Sequence, residues 1–281
     1  MEADARIFHR FPFRPLVRPG TTLPGKFPSQ LAGEGLEFYG LREYTPGDSA
    51  KKIIWKHYAK SGKLMVREEI RETNMRLWLM QDLSSSMSFG KKPDLVRAFY
   101  AFLNHLLHEG GNALGIVAFT DKVAFFYRPS ASPRVVKITD RLAHELKSSD
   151  SDQKRTSISV SCSFAVKYLR RGDVIFMVSD FFSSENLEEA LRQVALHQEF
   201  IPVVVRDARE VEFPRGARVA FKDMETGQTY NAFGKKNNGE YNENLEKVLR
   251  KFCPLPLWLE GESFADAIKK IAEWLYRRNK H

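Results

Sequence analysis

A chain of 281 residues with 43% apolar side chains can fill a proper core, and its composition is not that of a disordered segment. Its net charge of +9 is spread along the chain, with acids interleaved among the 44 Lys and Arg. That pattern argues against nucleic-acid binding, where a dense basic patch carries affinity. No apolar run nears the ~18 residues that a membrane span needs. The start has no continuous apolar stretch of the secretory kind, and Cys162 and Cys253 are too few for a disulfide framework or a thiolate metal site. A cytoplasmic protein is expected.

Residues 1–33 are rich in Pro, Gly and Arg and read as extended. Residues 1–73 are taken as an N-terminal extension carrying a β-hairpin, and 74–281 as an α/β domain. Within the extension, "GLREYTPGDSAKKIIWKHYAKSGKL" supports two readings. One is a structural hairpin turning at Pro46-Gly47, with a buried Arg42–Glu43 pair and Trp55 as a core anchor. The other is a docking surface for a partner.

From residue 75 apolar strands alternate with amphipathic helices. "MRLWLMQ" (75–81) is a strand, and Leu95, Phe99, Phe102 and Leu106 mark one helix face. "ALGIVAFT" (113–120) is a strand, paired with "KVAFFYR" (122–128) as a short hairpin with Asp121 in its turn. Helices follow at 134–147 and around Ile158–Leu169. "DVIFMVS" (173–179) is a buried strand. Asn186 with Glu189 caps a helix to about 198. Strand 200–207, hairpin 217–233, helix 241–252, strand 255–261 and helix 264–279 complete the pattern. Continuous Val, Ile, Leu and Phe strands between helices predict a doubly wound, mostly parallel sheet covered on both faces.

Such sheets bind ligands at the carboxyl ends of their strands. Asp82, Ser84 and Ser86 leave the first strand of this domain, Asp180 leaves "DVIFMVS", and Thr156 opens the helix leading into it. Parallel strands would bring them to one edge. These are hard oxygen donors, suited to a single Mg²⁺ or Mn²⁺ that keeps several waters. The same residues also make ordinary turns and caps: an Asx turn at Asp82, an N-cap at Thr156, a cap at Asp180. The seven histidines show no metal-ligand spacing.

"DLSSSM" (82–87) fits D-x-S-x-S, and the chain thereby resembles von Willebrand factor A domains and their metal-ion-dependent adhesion site. Thr156 in "KRTSIS" and Asp180 in "MVSDF" stand where that family has its threonine and second aspartate. The resemblance implies that Ser84 and Ser86 hold the ion directly, Thr156 directly or through water, and Asp82 and Asp180 mostly through water. One departure is Lys154-Arg155, where small residues are expected. The stretch 33–69, with its Leu-Arg-Glu-Tyr-x-x-Gly-Asp segment and Trp-Lys motif, resembles the bacterial domain-of-unknown-function family 58. That resemblance implies an adaptor or co-chaperone of a MoxR-type AAA+ ATPase. An acidic side chain of the partner would complete the ion's shell, rimmed by Met87, Phe89 and Phe181.

The chain has no G-x-x-x-x-G-K-[ST], so ATP hydrolysis would come from the partner. An aspartyl phosphatase using Mg²⁺ is the rival, as is a basic nucleic-acid binder. The phosphatase needs a second carboxylate two residues after its nucleophile, where this chain has Ser84. A nuclease needs more clustered acids. A non-enzymatic, metal-dependent binding module is expected.

Overall fold

The structure is a computed structural model that describes Phe8, Phe13 and residues 24–46, 48–73, 75–148, 155–182, 186–211, 218–222, 229–233, 239–261 and 263–280. Strand β1 (Pro24–Glu43) and β2 (Met65–Thr73) form a two-stranded antiparallel ribbon with several register shifts. Between them lies the short helix α1 (Trp55–Ser61), closed by Gly62 in a left-handed conformation. Its base is tied to β2 by an Ile54 N–H to Met65 C=O bond of 2.9 Å.

Two expectations for this segment are corrected. Arg42 pairs with Asp48, not Glu43, in a bidentate contact at 2.7 and 2.6 Å, and that carboxylate also accepts from the Thr45 N–H. Asp48 matches the guanidinium fork with two bonds and closes the turn by also accepting the Thr45 N–H. Trp55 is no core anchor. It is 60% exposed and packs edge-to-face on Tyr58, itself exposed. The Pro46-Gly47 turn falls partly outside the described residues, at Gly47.

The α/β part runs β3 (Arg76–Asp82), α2 (Lys92–Gly110), β4 (Ala113–Phe119), β5 (Val123–Ser130), α3 (Arg134–Ser148), α4 (Ile158–Tyr168), β6 (Val174–Ser179), α5 (Leu187–Ala195) and β7 (Glu199–Arg206). It continues through α6 (Ala208–Val211), the hairpin β8 (Arg218–Lys222) and β9 (Thr229–Phe233), α7 (Gly239–Arg250), β10 (Leu257–Glu260) and α8 (Phe264–Arg278). The six-stranded sheet has the order β10-β7-β6-β3-β4-β5. Every pairing is parallel except β4 with β5. The parallel α/β sheet expected from the strand composition is present, as is the β4–β5 hairpin, with exposed Asp121 in its turn.

Both faces of the sheet's inner strands are buried, while the edge strand β5 is largely exposed. Leu77, Leu79, Ile116, Phe176, Val178 and Val203 point to one side, where α2, α3 and α8 pack. Trp78, Met80, Val117, Ile175, Met177 and Val204 point to the other, covered by α4, α5 and α7. That alternation across continuous apolar strands is what burial on two faces requires. Phe8 and Phe13, far upstream, insert into the first of these cores. Phe8 meets Phe102 at 5.3 Å, and Phe13 meets Phe176 at 5.6 Å.

Close contact fixes β3 against β4. Trp78 lies opposite Gly115 in the register, and a Cβ on that glycine would fall 2.5 Å from the indole ring. The indole Nε1–H donates to Asp173 at 2.8 Å, and Asp173 also pairs with Arg76. From β3 the chain goes first to β4 on one side and later to β6 on the other. The switch point therefore lies between β3 and β6, whose carboxyl ends carry Asp82 and Asp180.

Candidate functional site

Asp82 is the last residue of β3 and is fully buried. The chain then forms a single 3₁₀ turn, Ser85–Ser88, with Met87 N–H bonded to Ser84 C=O at 3.1 Å. This turn brings the Ser84 and Ser86 hydroxyls to 3.1 Å from each other. Asp82 Oδ1 accepts the Ser84 N–H at 2.8 Å, and Oδ2 accepts the Ser179 hydroxyl at 2.7 Å. Thr156 Oγ1 donates to both carboxylate oxygens, at 3.2 and 3.1 Å. The helix-capping role open to Thr156 is taken by Ser157, whose side chain accepts from Val160 N–H. A Ser157 N–H to Thr120 C=O bond of 3.0 Å ties this loop to the end of β4. Thr156 is thus free to face the aspartate. The cap of α5 is likewise Asn186, as its spacing to Glu189 predicted, and not Asp180.

Asp180 is also fully buried. Its Oδ1 accepts Phe182 N–H at 3.1 Å, and its Oδ2 is joined through the Lys92 ammonium to Ser86 C=O. All five residues singled out from the sequence therefore stand in one hydrogen-bonded group. Arg155 is exposed, and Lys154 lies outside the described residues. Met87 and Phe181 do not rim the group as expected. Both are buried in the core, and only Phe89 of the three is partly open.

Two further cations at this edge went unread in the sequence. Lys92, at the first position of α2, is completely buried. Its Nζ donates to Asp180 Oδ2 at 2.8 Å and to Ser86 C=O at 3.2 Å, and pairs with Glu210 of α6 at 2.6 Å. A cation at a helix N-terminus opposes the helix dipole, so "KKPD" carried a hint that a carboxylate waits nearby. Arg206 ends β7 and is buried too. Its guanidinium carbon lies 3.7 Å from the centre of the Phe182 ring.

These charges divide the protonation of the two aspartates. Burial pushes the Asp82 carboxyl up to about 6, and the neighbouring charge of Asp180 adds to this. Burial acts the same way on Asp180, but the Lys92 ammonium and the charge of Arg206 outweigh it and hold that carboxyl below its ordinary value. Burial also raises Glu210, against the pull of Lys92. Of the pair, Asp180 keeps its charge and Asp82 is the one that takes up a proton first.

The loop after β6 is strained. Phe181 is the one non-glycine residue with positive φ (54°) among the described residues. For a bulky side chain this costs on the order of 1–3 kcal/mol. It sends Phe181 into the core and turns Phe182 over Arg206. On the opposite side Gly90, at φ +61°, lets Lys91 N–H reach Asp207 Oδ2 at 2.8 Å. A Cβ on Gly90 would fall 2.0 Å from that oxygen.

The oxygen set suits a hard divalent ion. In an octahedral shell with 2.0–2.1 Å bonds, neighbouring oxygens lie about 2.9 Å apart, close to the spacing of the two serine hydroxyls. Among the described residues no three His, Cys, Asp or Glu side chains cluster as a metal cage. Any ion here would rest on hydroxyls and two carboxylates. The chemistry available is that of a Lewis-acidic anchor for an outside oxygen.

The sequence pattern of the family described as "Protein of unknown function DUF58" matches residues 40–241, more than half of the chain. The chain belongs to this family. A Mycobacterium tuberculosis relative, "Uncharacterized protein Rv1480", is 29% identical over 208 residues, covering 70% of this chain and 63% of its own length. A Mycobacterium bovis relative, "Uncharacterized protein Mb1516", matches to the same extent. The chain thus spans under two thirds of these relatives. Among solved structures, BatB from Bacteroides thetaiotaomicron is 13% identical with a TM-score of 0.42, covering 74% of this chain and all of that one. A von Willebrand factor type A protein from Catenulispora acidiphila is 12% identical with a TM-score of 0.42, covering 73% and 43%. The DUF58 chain has a doubly wound α/β architecture, a mostly parallel six-stranded sheet between helices. Among the described residues no helix is long and apolar enough to cross a membrane.

Proposed function

We propose that this protein is a metal-dependent protein-interaction module, not an enzyme, in which one Mg²⁺ or Mn²⁺ is held by Ser84, Ser86, Thr156, Asp82 and Asp180. The observation that carries the reading is the 3.1 Å approach of two serine hydroxyls beside two buried carboxylates, at the switch point of a parallel sheet. When bound, the ion supplies a positive centre for an oxygen ligand from outside. The chain's own residues fix the hydroxyls with the 3₁₀ turn and set the buried carboxylates of Asp82 and Asp180 beside them. Lys92 neutralises Asp180 and lowers the negative charge offered to the ion. The ion is therefore held less tightly than two free carboxylates would hold it, and it keeps its appetite for an anionic partner group.

An Asp or Glu of the partner is the fitting ligand. By family resemblance, that partner is an AAA+ ATPase of the MoxR type, and the chain acts in the cytoplasm as its adaptor. Hydrolytic chemistry is disfavoured because Ser84 stands where an aspartyl phosphatase needs its second carboxylate, and Ser84 Oγ is engaged with Ser86.

The test is calorimetric titration of Mn²⁺ and Mg²⁺ into the wild type, Ser84→Ala and Asp82→Asn. One saturable ion per chain is expected in the wild type, with the heat lost in both variants. Equal heats in all three would overturn the reading.

A further inference from the structure

Arg206 is the unexplained group of this edge. It is completely buried, yet Nε, Nη1 and Nη2 all lack a hydrogen-bond partner among the described residues. The other buried arginine among the described residues is treated differently: Arg278 pairs with Glu199, and the partly buried Arg76 pairs with Asp173. The carboxylates nearest in effect to Arg206 are committed elsewhere: Asp180 and Glu210 both bind the Lys92 ammonium. A buried guanidinium with no acceptor is costly unless something supplies one.

What surrounds Arg206 is a recognition geometry. The Phe182 ring centre lies 3.7 Å from the guanidinium carbon, and an aromatic ring takes none of the N–H groups as a carboxylate would, which leaves them for another ligand. Tyr241 continues that wall, stacked on Phe182 at 5.0 Å between ring centres and anchored by its hydroxyl to Phe181 C=O at 2.7 Å. Phe182 and Tyr241 both reach solvent, and their ring centres lie 3.7 and 5.8 Å from the guanidinium carbon of Arg206. The strained φ of Phe181 is what places Phe182 there. Arg206 stands at the carboxyl end of β7, two strands from Asp82, on the sheet edge where ligands of such folds enter.

We infer that Arg206 is a receptor for an oxyanion, a carboxylate or phosphate group, bound edge-on by its planar fork beneath the Phe182–Tyr241 wall. The planar guanidinium matches two oxygens at once, and the Phe182 ring against it holds it before the ligand arrives. This site does not depend on the divalent ion. It would give a partner a second anchoring point on the same edge, or hold a free phosphate.

The inference is tested in EDTA, so that the metal plays no part. Sodium phosphate and sodium glutarate are titrated calorimetrically into the wild type, Arg206→Lys and Phe182→Ala, with sodium chloride at matched ionic strength as the reference. Arg206→Lys keeps the charge and removes the fork, so it is the variant expected to fold. Thermal unfolding is followed in the same buffers. Phosphate stabilises most proteins non-specifically, so the readout is the wild-type shift minus the Arg206→Lys shift. Expected is saturable binding by the wild type, weaker by about tenfold or more in Arg206→Lys, and an anion-dependent rise in melting temperature that the variant loses. Phosphate alone binding points to a phosphate group, and glutarate binding to an acidic side chain; either supports the site. Equal responses of wild type and Arg206→Lys to both anions would overturn it and leave Arg206 as a structural cation.

Discussion

Asp82 concentrates the conflict of this site in one carboxyl. The sequence places it at a strand end, where an aspartate ordinarily meets water and its removal costs little. In the fold it is fully buried and takes hydrogen bonds from Ser84, Ser179 and Thr156. Replacement by alanine would strand three donors, so the cost is that of orphaned buried polar groups and not of a surface cap. Its charge is a separate matter. The folded carboxyl titrates at about 6, above its ordinary 3.8, because of burial and then Asp180. Between those two values the folded state binds more protons than the unfolded state. The stabilisation is therefore complete below about pH 4 and is lost as pH rises towards 6, by roughly 3 kcal/mol at most. Urea midpoints in EDTA from pH 4 to 7 should show this fall in the wild type relative to Asp82→Asn, which has no charge to lose. Parallel profiles would mean that Asp82 stays ionised throughout. With the proposed ion present the slope should shrink, because the ion favours the ionised form.

At the scale of elements, strands and helices were legible because burial writes itself into composition. "ALGIVAF" and "DVIFMVS" are apolar on both faces, and both became central strands. Asn186 with Glu189 announced its helix for a similarly local reason. The convergence of Asp82, Ser84, Ser86, Thr156 and Asp180 was also legible, since four of them end or follow a readable strand and Thr156 leads into a readable helix. What could not be read depends on contacts distant in sequence. Phe8 and Phe13 enter the core with no periodicity to announce them, and Trp55 is exposed despite its composition. Lys92 belongs to this second class. It joins α2 to the loop after β6 and to α6 through Asp180 and Glu210, two partners 88 and more residues away. Lys92→Met would leave both carboxylates without their cation in a dry pocket, a loss expected to cost about 3–5 kcal/mol without metal. If the proposed ion binds beside Asp180, it replaces part of the missing charge. Mg²⁺ should then raise the melting temperature of Lys92→Met by more than that of the wild type. A smaller or equal rise would show that Asp180 does not feel the ion.

For the whole molecule the question is which charge carries association. The chain has an excess of nine cations, and Lys51, Lys56 and Lys60 stand exposed in and beside α1, where any acidic protein surface would be attracted. Long-range attraction of that kind is screened over about 8 Å at physiological salt and is indifferent to chelators. A partner carboxylate on the proposed ion behaves in the opposite way. It sits at the dry edge where Asp82 and Asp180 are buried, so moderate salt screens it little, whereas removal of the ion abolishes it. The complex with a MoxR-type ATPase, measured by surface-based binding at stepped NaCl with and without EDTA, separates the two. The proposal expects EDTA to weaken the complex at every salt concentration and Mg²⁺ to restore it, with NaCl mainly slowing association. Lysine substitutions in α1 should then alter the on-rate and leave the EDTA effect in place. A complex that survives EDTA unchanged yet dissolves in moderate salt would assign binding to the basic surface, and the hydroxyl cluster at the switch point would be left as a turn that closes β3.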